Sequence, residues 1–209
     1  MTPLDVLDWR RRVASLYREV RAASDPAAGH ELWIRGRDTL FREHPASPIP
    51  PEHRASFAGL SYARYDPSLR FEAPVETDVP PEWIDVSTGT DGIVPFQLIG
   101  RVRLPVGDLD VWWLDSYGGG IFVPMKDASC GASAYGGGRY VLDTVKGADL
   151  GGDPAADLVV DLNFAYNPSC AYTESWACPL PPPGNTLPVA IRAGELVPRT
   201  PGEEKSGML

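Results

Sequence analysis

The chain is poor in the residues that most often advertise chemistry, with three cysteines and three histidines in 209 residues. Cys170 and Cys178 are eight apart, Cys130 lies upstream, and the histidines fall at 30, 44 and 53. None of this matches the C-x2-4-C pairs of a structural metal site, so no metal is expected. GxxxxGK[ST] and a strand-linked GxGxxG are both missing, so no nucleotide cofactor is expected either. Apolar runs stop short of the about 18 residues that span a bilayer. Charged residues from Asp5 onward break any secretion-signal pattern. The expected location is therefore the cytoplasm, with the cysteines as free thiols. Basic charge is scarce as well. Nineteen Lys and Arg against 28 Asp and Glu leave a formal charge of −9, which argues against nucleic-acid and membrane partners. The arginines at 10, 11, 12, 18 and 21 should form a solvated helix face.

What is abundant is punctuation. Twenty-one glycines and 22 prolines, scattered without a repeat, predict many turns between short elements. Thr2-Pro3 starts a first helix, in which Val6, Trp9, Val13, Leu16, Tyr17 and Val20 make one apolar stripe. Asp25-Pro26 starts a second, running to about Glu43, with Leu32, Trp33, Leu40 and Phe41 on its buried side. His44-Pro45 and the prolines at 48, 50 and 51 end it, because proline disfavours the helical region in the residue before it.

From Ser56 the period changes to that of strands. Leu69 to Ala73, Phe96 to Leu104, Leu109 to Leu114, Ile121 to Met125, Tyr140 to Val145, Leu158 to Phe164 and Leu187 to Ile191 are the expected strands. Ile99 breaks an otherwise polar face, and Pro105 to Asp108 turns a hairpin. The pattern predicts a mainly β, α+β fold: an antiparallel β-barrel or sandwich with two N-terminal helices packed against it. It reads as one domain over 1–197, helical over 3–44 and β-rich over 56–197, with a loose tail over 198–209.

Two stretches concentrate functional groups. In KDASCGASAYGGGRY, Asp127 and Arg139 are candidates for a fixed charge pair that could orient a polar ligand. In DLNFAYNPSCAY, strand alternation puts Asp161 and Asn163 on one face, with Tyr166, Asn167 and Tyr172 just beyond. Cys170 is a candidate nucleophile without a base nearby in sequence, and Glu195 reads as an exposed carboxylate.

These two blocks, together with WIRGRDTLFREHPASPIP, FAGLSY and the downstream CPLPPPGNTLPVAIRAGE, resemble the bacterial family called domain of unknown function 1684. The blocks fall in the family's order and cover nearly the whole chain. Its pattern before GRY is D-x-T-x-G-x-x-T-Y; here Ser129 and Ala134 replace both threonines, which weakens any role for those hydroxyls. The resemblance implies a cytoplasmic, single-domain, mainly β protein and no particular activity. It marks Asp127, Tyr135, Arg139, Asp161, Asn163, Tyr166, Asn167, Cys170, Cys178, Asn185 and Glu195 as matching characteristic positions.

Three functions follow as expectations. The first is a small polar or anionic metabolite bound in a barrel pocket by Asp127, Tyr135, Arg139, Asp161, Asn163, Tyr166 and Asn167, with Arg139 as a bidentate grip. The second is a hydrolase or transferase using Cys170 as nucleophile or Asp161 as acid or base. The third is a protein-interaction module anchored by Trp112, Trp113 and Trp176.

Overall fold

The computed structural model describes residues 1–88, 92–153, 155–173, 175–176 and 178–198. Both expected helices form, α1 over Pro3–Ala22 and α2 over Pro26–Glu43. A reciprocal capping box, with Thr2 and Asp5 each accepting the other's backbone N–H, starts α1. The Asp25 carboxylate accepts from Ala27 and Ala28 to start α2. A short α3, Pro51–Arg54, follows in the proline cluster. The helices lock together where the Trp33 indole donates to the Tyr17 hydroxyl at 3.1 Å.

Seven strands follow: β1 Arg70–Ala73, β2 Trp83–Thr88, β3 Gly92–Leu104, β4 Gly107–Leu114, β5 Ile121–Met125, β6 Arg139–Asp143 and β7 Leu158–Asp161. β2 to β6 form an antiparallel meander, while β1 and β7 pair separately. The two sheets pack as a sandwich-like body, not as a closed barrel. Ile99 explains itself: the β3–β4 register slips between Leu98 and Gly100, so Ile99 is the extra residue of a bulge and the strand's inward face switches there.

The five-stranded sheet is buried on both sides. Trp112, Phe122 and Tyr140 face α1 and α2, whereas Val111, Val123 and Val141 face the β1–β7 pair and the C-terminal segment. That double burial is why β5 and the middle of β6, Tyr140 to Leu142, read as apolar runs without alternation.

Three strand expectations shorten or fail. β7 stops at Asp161, whose carboxylate accepts from the Asn163 N–H and opens a 3-10 turn over Leu162–Phe164. This local bond competes successfully with the ladder. β6 likewise stops at Asp143, which caps the turn Thr144–Lys146. Leu187 to Ile191 forms no strand, although Leu187 N–H still donates to Lys126 O at 2.9 Å; Pro188 has no N–H with which to extend a ladder. β2 was not expected and lies at the sheet edge. Of the expected tail, residues 199–209 lie outside the described residues.

Candidate functional site

Asp127 and Arg139 meet in the core. Arg139, at the start of β6, is fully buried and donates to Asp127 Oδ2 at 2.7 Å. Its remaining amine hydrogens go to the carbonyls of Ile191, Ala193 and Glu195. Asp127 Oδ1 accepts from the Ser129 amide and hydroxyl and from the Ile191 amide at 3.2 Å. Serine thus keeps the one hydroxyl needed at 129, while Ala134 packs against the interior without one. Burial pushes the Asp127 carboxyl up, but Ser129 and Arg139 outweigh it and hold it below the ordinary carboxylate range. Gly138 makes this possible: its φ is +89°, and a Cβ there would lie 2.7 Å from Met125 O. The terminal amine donors of Arg139 are committed to protein, so the bidentate grip expected for a ligand is already taken. Arg139 Nε alone has no partner among the described residues.

The same C-terminal segment builds a second buried pair. Glu195 is fully buried, not the exposed carboxylate expected, because Arg37 of α2 reaches it at 2.7 Å. Asn167 N–H donates to the same Oε2 at 3.0 Å, and the Asn167 amide ties to Leu196 O. Arg37 sits 4.9 Å from the Tyr166 ring centroid and 5.1 Å from those of Trp33 and Phe41, a cation held among aromatic faces. Burial pushes the Glu195 carboxyl up despite Arg37. Gly194 at φ +73° permits the close turn, since a Cβ would meet Ala165 O at 2.5 Å.

Asp161 and Asn163 do lie side by side, but through the turn and not through strand alternation. Asn163 Nδ2 donates to Asp161 Oδ1 at 2.7 Å and to Asp66 O at 2.8 Å, while Asn163 Oδ1 accepts from Asp66 N–H. Tyr65 donates to Asp161 Oδ2, and His30 binds Asn163 O at 2.9 Å. The cluster fastens the 65–66 loop and α2 to the end of β7. Among the described residues, no hydrogen bond joins it to Asp127 or Arg139. Asp161 also borders a small cleft of about 90 Å³ lined by Arg21, Arg70, Val159 and Phe164. Burial pushes the Asp161 carboxyl up.

Tyr166 donates to Asp143 at 3.3 Å, and Asn185 plugs the sheet where the β4–β5 ladder ends. Its side chain accepts from the Trp112 indole at 2.8 Å and donates to Asp110 O and Pro124 O. Trp112 is therefore buried, while Trp113 and Trp176 are only partly so. Trp176 lines an open groove of about 540 Å³ with Pro45, Pro48, Ile49, Pro51 and Arg54.

The remaining group is partly buried, with Cys178 packed against the aromatic cluster between the helices and the sheet. Cys170 and Cys178, eight apart in sequence, are free thiols close enough to shift each other's ionisation. The Cys170 thiol, the backbone amides of Cys170 and Ser169 and the Lys146 ammonium all favour the Cys178 thiolate. The influence of Cys170, helped by those amides and Lys146, overrides burial and brings the Cys178 thiol down to about 6. Cys170 moves the opposite way, raised chiefly by Cys178 and then by burial. The Tyr135 hydroxyl lies 3.9 Å from Cys170 Sγ, with its own ionisation pushed up to about 12 by burial. Tyr140 stands behind, donating to Pro179 O at 2.7 Å, with the Lys146 ammonium 5.4 Å from its ring centroid. Among the described residues, no histidine joins this corner: His30 serves Asn163, His44 serves Asp8, and His53 is on exposed α3.

The structure therefore joins Asp127 to Arg139, Asp161 to Asn163, and Tyr135 to Cys170, as three separate clusters. Sequence reasoning missed Arg37, His30 and Lys146, and it weighted Cys170 above Cys178. The signal for Arg37 was available: an arginine on the apolar side of α2, between Trp33 and Phe41, needs a buried partner.

No curated protein matches the chain. Among solved structures, it is similar to the solution NMR structure of the uncharacterized protein from gene locus rrnAC0354 of Haloarcula marismortui. The identity is 36%, covering 78% of this chain and 89% of that one, with a TM-score of 0.55. The profile of the family described as "Protein of unknown function (DUF1684)" matches residues 55–196, which take in all seven strands and all three clusters save His30 and Arg37. The chain belongs to that family.

Proposed function

We propose that the protein captures a small electrophilic molecule at the Cys170–Cys178 corner, with Cys178 as the attacking thiolate. One observation carries this reading: Cys178 is partly buried beside the Cys170 thiol, the amides of Cys170 and Ser169 and the Lys146 ammonium, which together bring its ionisation down to about 6. Such donors stabilise the anion, and the thiolate is the nucleophilic form. Cys170 is then the donor that holds the charge on Cys178, not the nucleophile. Hydrolysis by base-activated water is less well supported, since Asp161 is committed to Asn163 and Tyr65. Iodoacetamide at neutral pH with peptide mapping tests the proposal. Cys178 should alkylate about tenfold faster than Cys130 in the same chain. A Cys178 no faster than Cys130 would sink it.

A second reading keeps the small polar or anionic ligand and moves it to the cleft beside Asp161. The supporting observation is that Arg21 and Arg70 line that cleft, which at about 90 Å³ suits only a very small anion. Inorganic phosphate should then raise the melting temperature of the native chain and not that of Arg70→Gln. An equal response in both removes this reading.

A further inference from the structure

Beneath α2, four buried polar atoms have no hydrogen-bond partner among the described residues: Arg37 Nε, the Tyr62 hydroxyl, Asn167 Oδ1 and Glu195 Oε1. Glu195 draws them together. Its Oε2 accepts from the Arg37 terminal amine at 2.7 Å and from the Asn167 N–H at 3.0 Å, so the other oxygen of that carboxylate lies among the same groups. Tyr62 is brought in by the backbone. It forms an isolated antiparallel bridge with Glu195, flanked by Ala63 N–H to Gly194 O at 2.9 Å and Leu196 N–H to Ser61 O at 2.8 Å. That is the non-hydrogen-bonded kind of pair, in which both side chains leave one face at close spacing. The Tyr62 ring packs edge-on against Trp33, with centroids 5.4 Å apart, and the Arg37 guanidinium lies 5.1 Å from the same Trp33 ring. Burial pushes the Tyr62 ionisation well up, and Arg37 opposes this from nearby without a hydrogen bond.

We propose that these four atoms hold one water molecule, bound as a lasting part of the fold. The donor count selects it. Arg37 Nε–H and the Tyr62 O–H donate, while Glu195 Oε1 and Asn167 Oδ1 accept, which is the inverse of water's two lone pairs and two hydrogens. The Asn167 amide cannot be turned over, because its Nδ2 donates to Leu196 O at 2.7 Å and a flip would set two oxygens against each other. An anion would meet the Glu195 carboxylate and the Asn167 oxygen. A metal ion would meet the Arg37 guanidinium, which has no lone pair to offer, and an ammonium ion would lack an acceptor there.

A buried polar group left unpaired keeps its full desolvation penalty, and one water relieves all four at once. It also joins four parts of the chain: α2 through Arg37, the 61–63 segment through Tyr62, the chain beyond β7 through Asn167, and the C-terminal segment through Glu195. The site is separate from Cys178, and its failure would leave the thiolate reading intact.

The test combines water–protein nuclear Overhauser spectra and oxygen-17 relaxation dispersion of the full chain with a crystal structure of it. The expected result is a cross-peak from water to Arg37 Nε–H with the sign of a long-lived contact, and one density peak within hydrogen-bond distance of all four atoms. Tyr62→Phe keeps the ring against Trp33 and removes one donor, so it should shorten the residence of that water about tenfold, the equivalent of one hydrogen bond. An Arg37 Nε that meets Glu195 Oε1 directly, with no density between the four atoms, overturns the proposal. Density too large for a single water overturns it as well, and so does an unchanged residence in folded Tyr62→Phe. The wild-type spectra and density decide the question whether or not that variant folds.

Discussion

Between Asn167 and Cys170 the chain passes within a few residues from a buried ion-pair network to a half-exposed pair of thiols. The two regions treat charge in opposite ways. Around Arg139 and Glu195, each charge is taken out of water and matched by an opposite charge and by backbone carbonyls or amides. Such a network earns little net stability but is costly to break, because removing one partner strands the other. Around Cys178 the charge is held by weaker donors and stays within reach of solvent. Buried, matched charge fixes the C-terminal segment against the sheet; accessible charge on sulfur is what can react.

The comparison breaks most visibly at Arg139. Arg139→Met strands Asp127 in the core and should cost about 3–5 kcal/mol in chemical denaturation. A loss below about 1 kcal/mol would mean that the network is not what holds the segment. Asn185→Ala comes next. It leaves the Trp112 indole and the carbonyls of Asp110 and Pro124 without their partner, at a cost of about 3 kcal/mol by the same measurement. By contrast, Cys178→Ser should change stability by less than about 1 kcal/mol while abolishing the fast alkylation.

The two buried carboxylates give a sharper pH test. Glu195 is raised above its ordinary value of 4.5, so it binds its proton more tightly in the folded chain. Its contribution is fully present below pH 4.5 and is lost as pH rises through the folded value. Asp127 is lowered from 3.8, so its contribution is present above 3.8 and lost as pH falls through the folded value. Glu195→Gln should therefore flatten the stability profile above pH 4.5, and Asp127→Asn should flatten it below pH 3.8. Denaturation midpoints across pH, with slopes exchanged between the two variants, would contradict these assignments.

Lys146→Met is the smallest change. It should raise the pH at which Cys178 ionises by less than Cys170→Ser does, because the Cys170 thiol is the largest influence on Cys178 and the ammonium a lesser one.

Much of the scaffold was legible in the sequence because periodicity reports burial directly. The stripe from Val6 to Val20 and the alternation from Phe96 to Leu104 survive in the structure, and even the exception at Ile99 marks a real bulge. Asp161 was misread because a side chain that bonds its own backbone two residues on defeats alternation. The edge strand β2 was passed over because Trp83 is exposed and only Ile84 and Val86 pack inward. The site was less legible for a different reason: its contacts are long-range. Arg37 and Glu195 are 158 positions apart, and no local pattern pairs them. Spacing offers no metal motif at Cys170 and Cys178, and it could not show that the loop brings one thiol near enough to shift the other's ionisation.

The most direct test of the central claim is an ultraviolet thiolate titration of the native chain and its cysteine variants. One thiol should ionise with a midpoint near 6, vanish in Cys178→Ser and shift upward in Cys170→Ser. Three thiols titrating together near the ordinary value of about 8.5 would contradict the account.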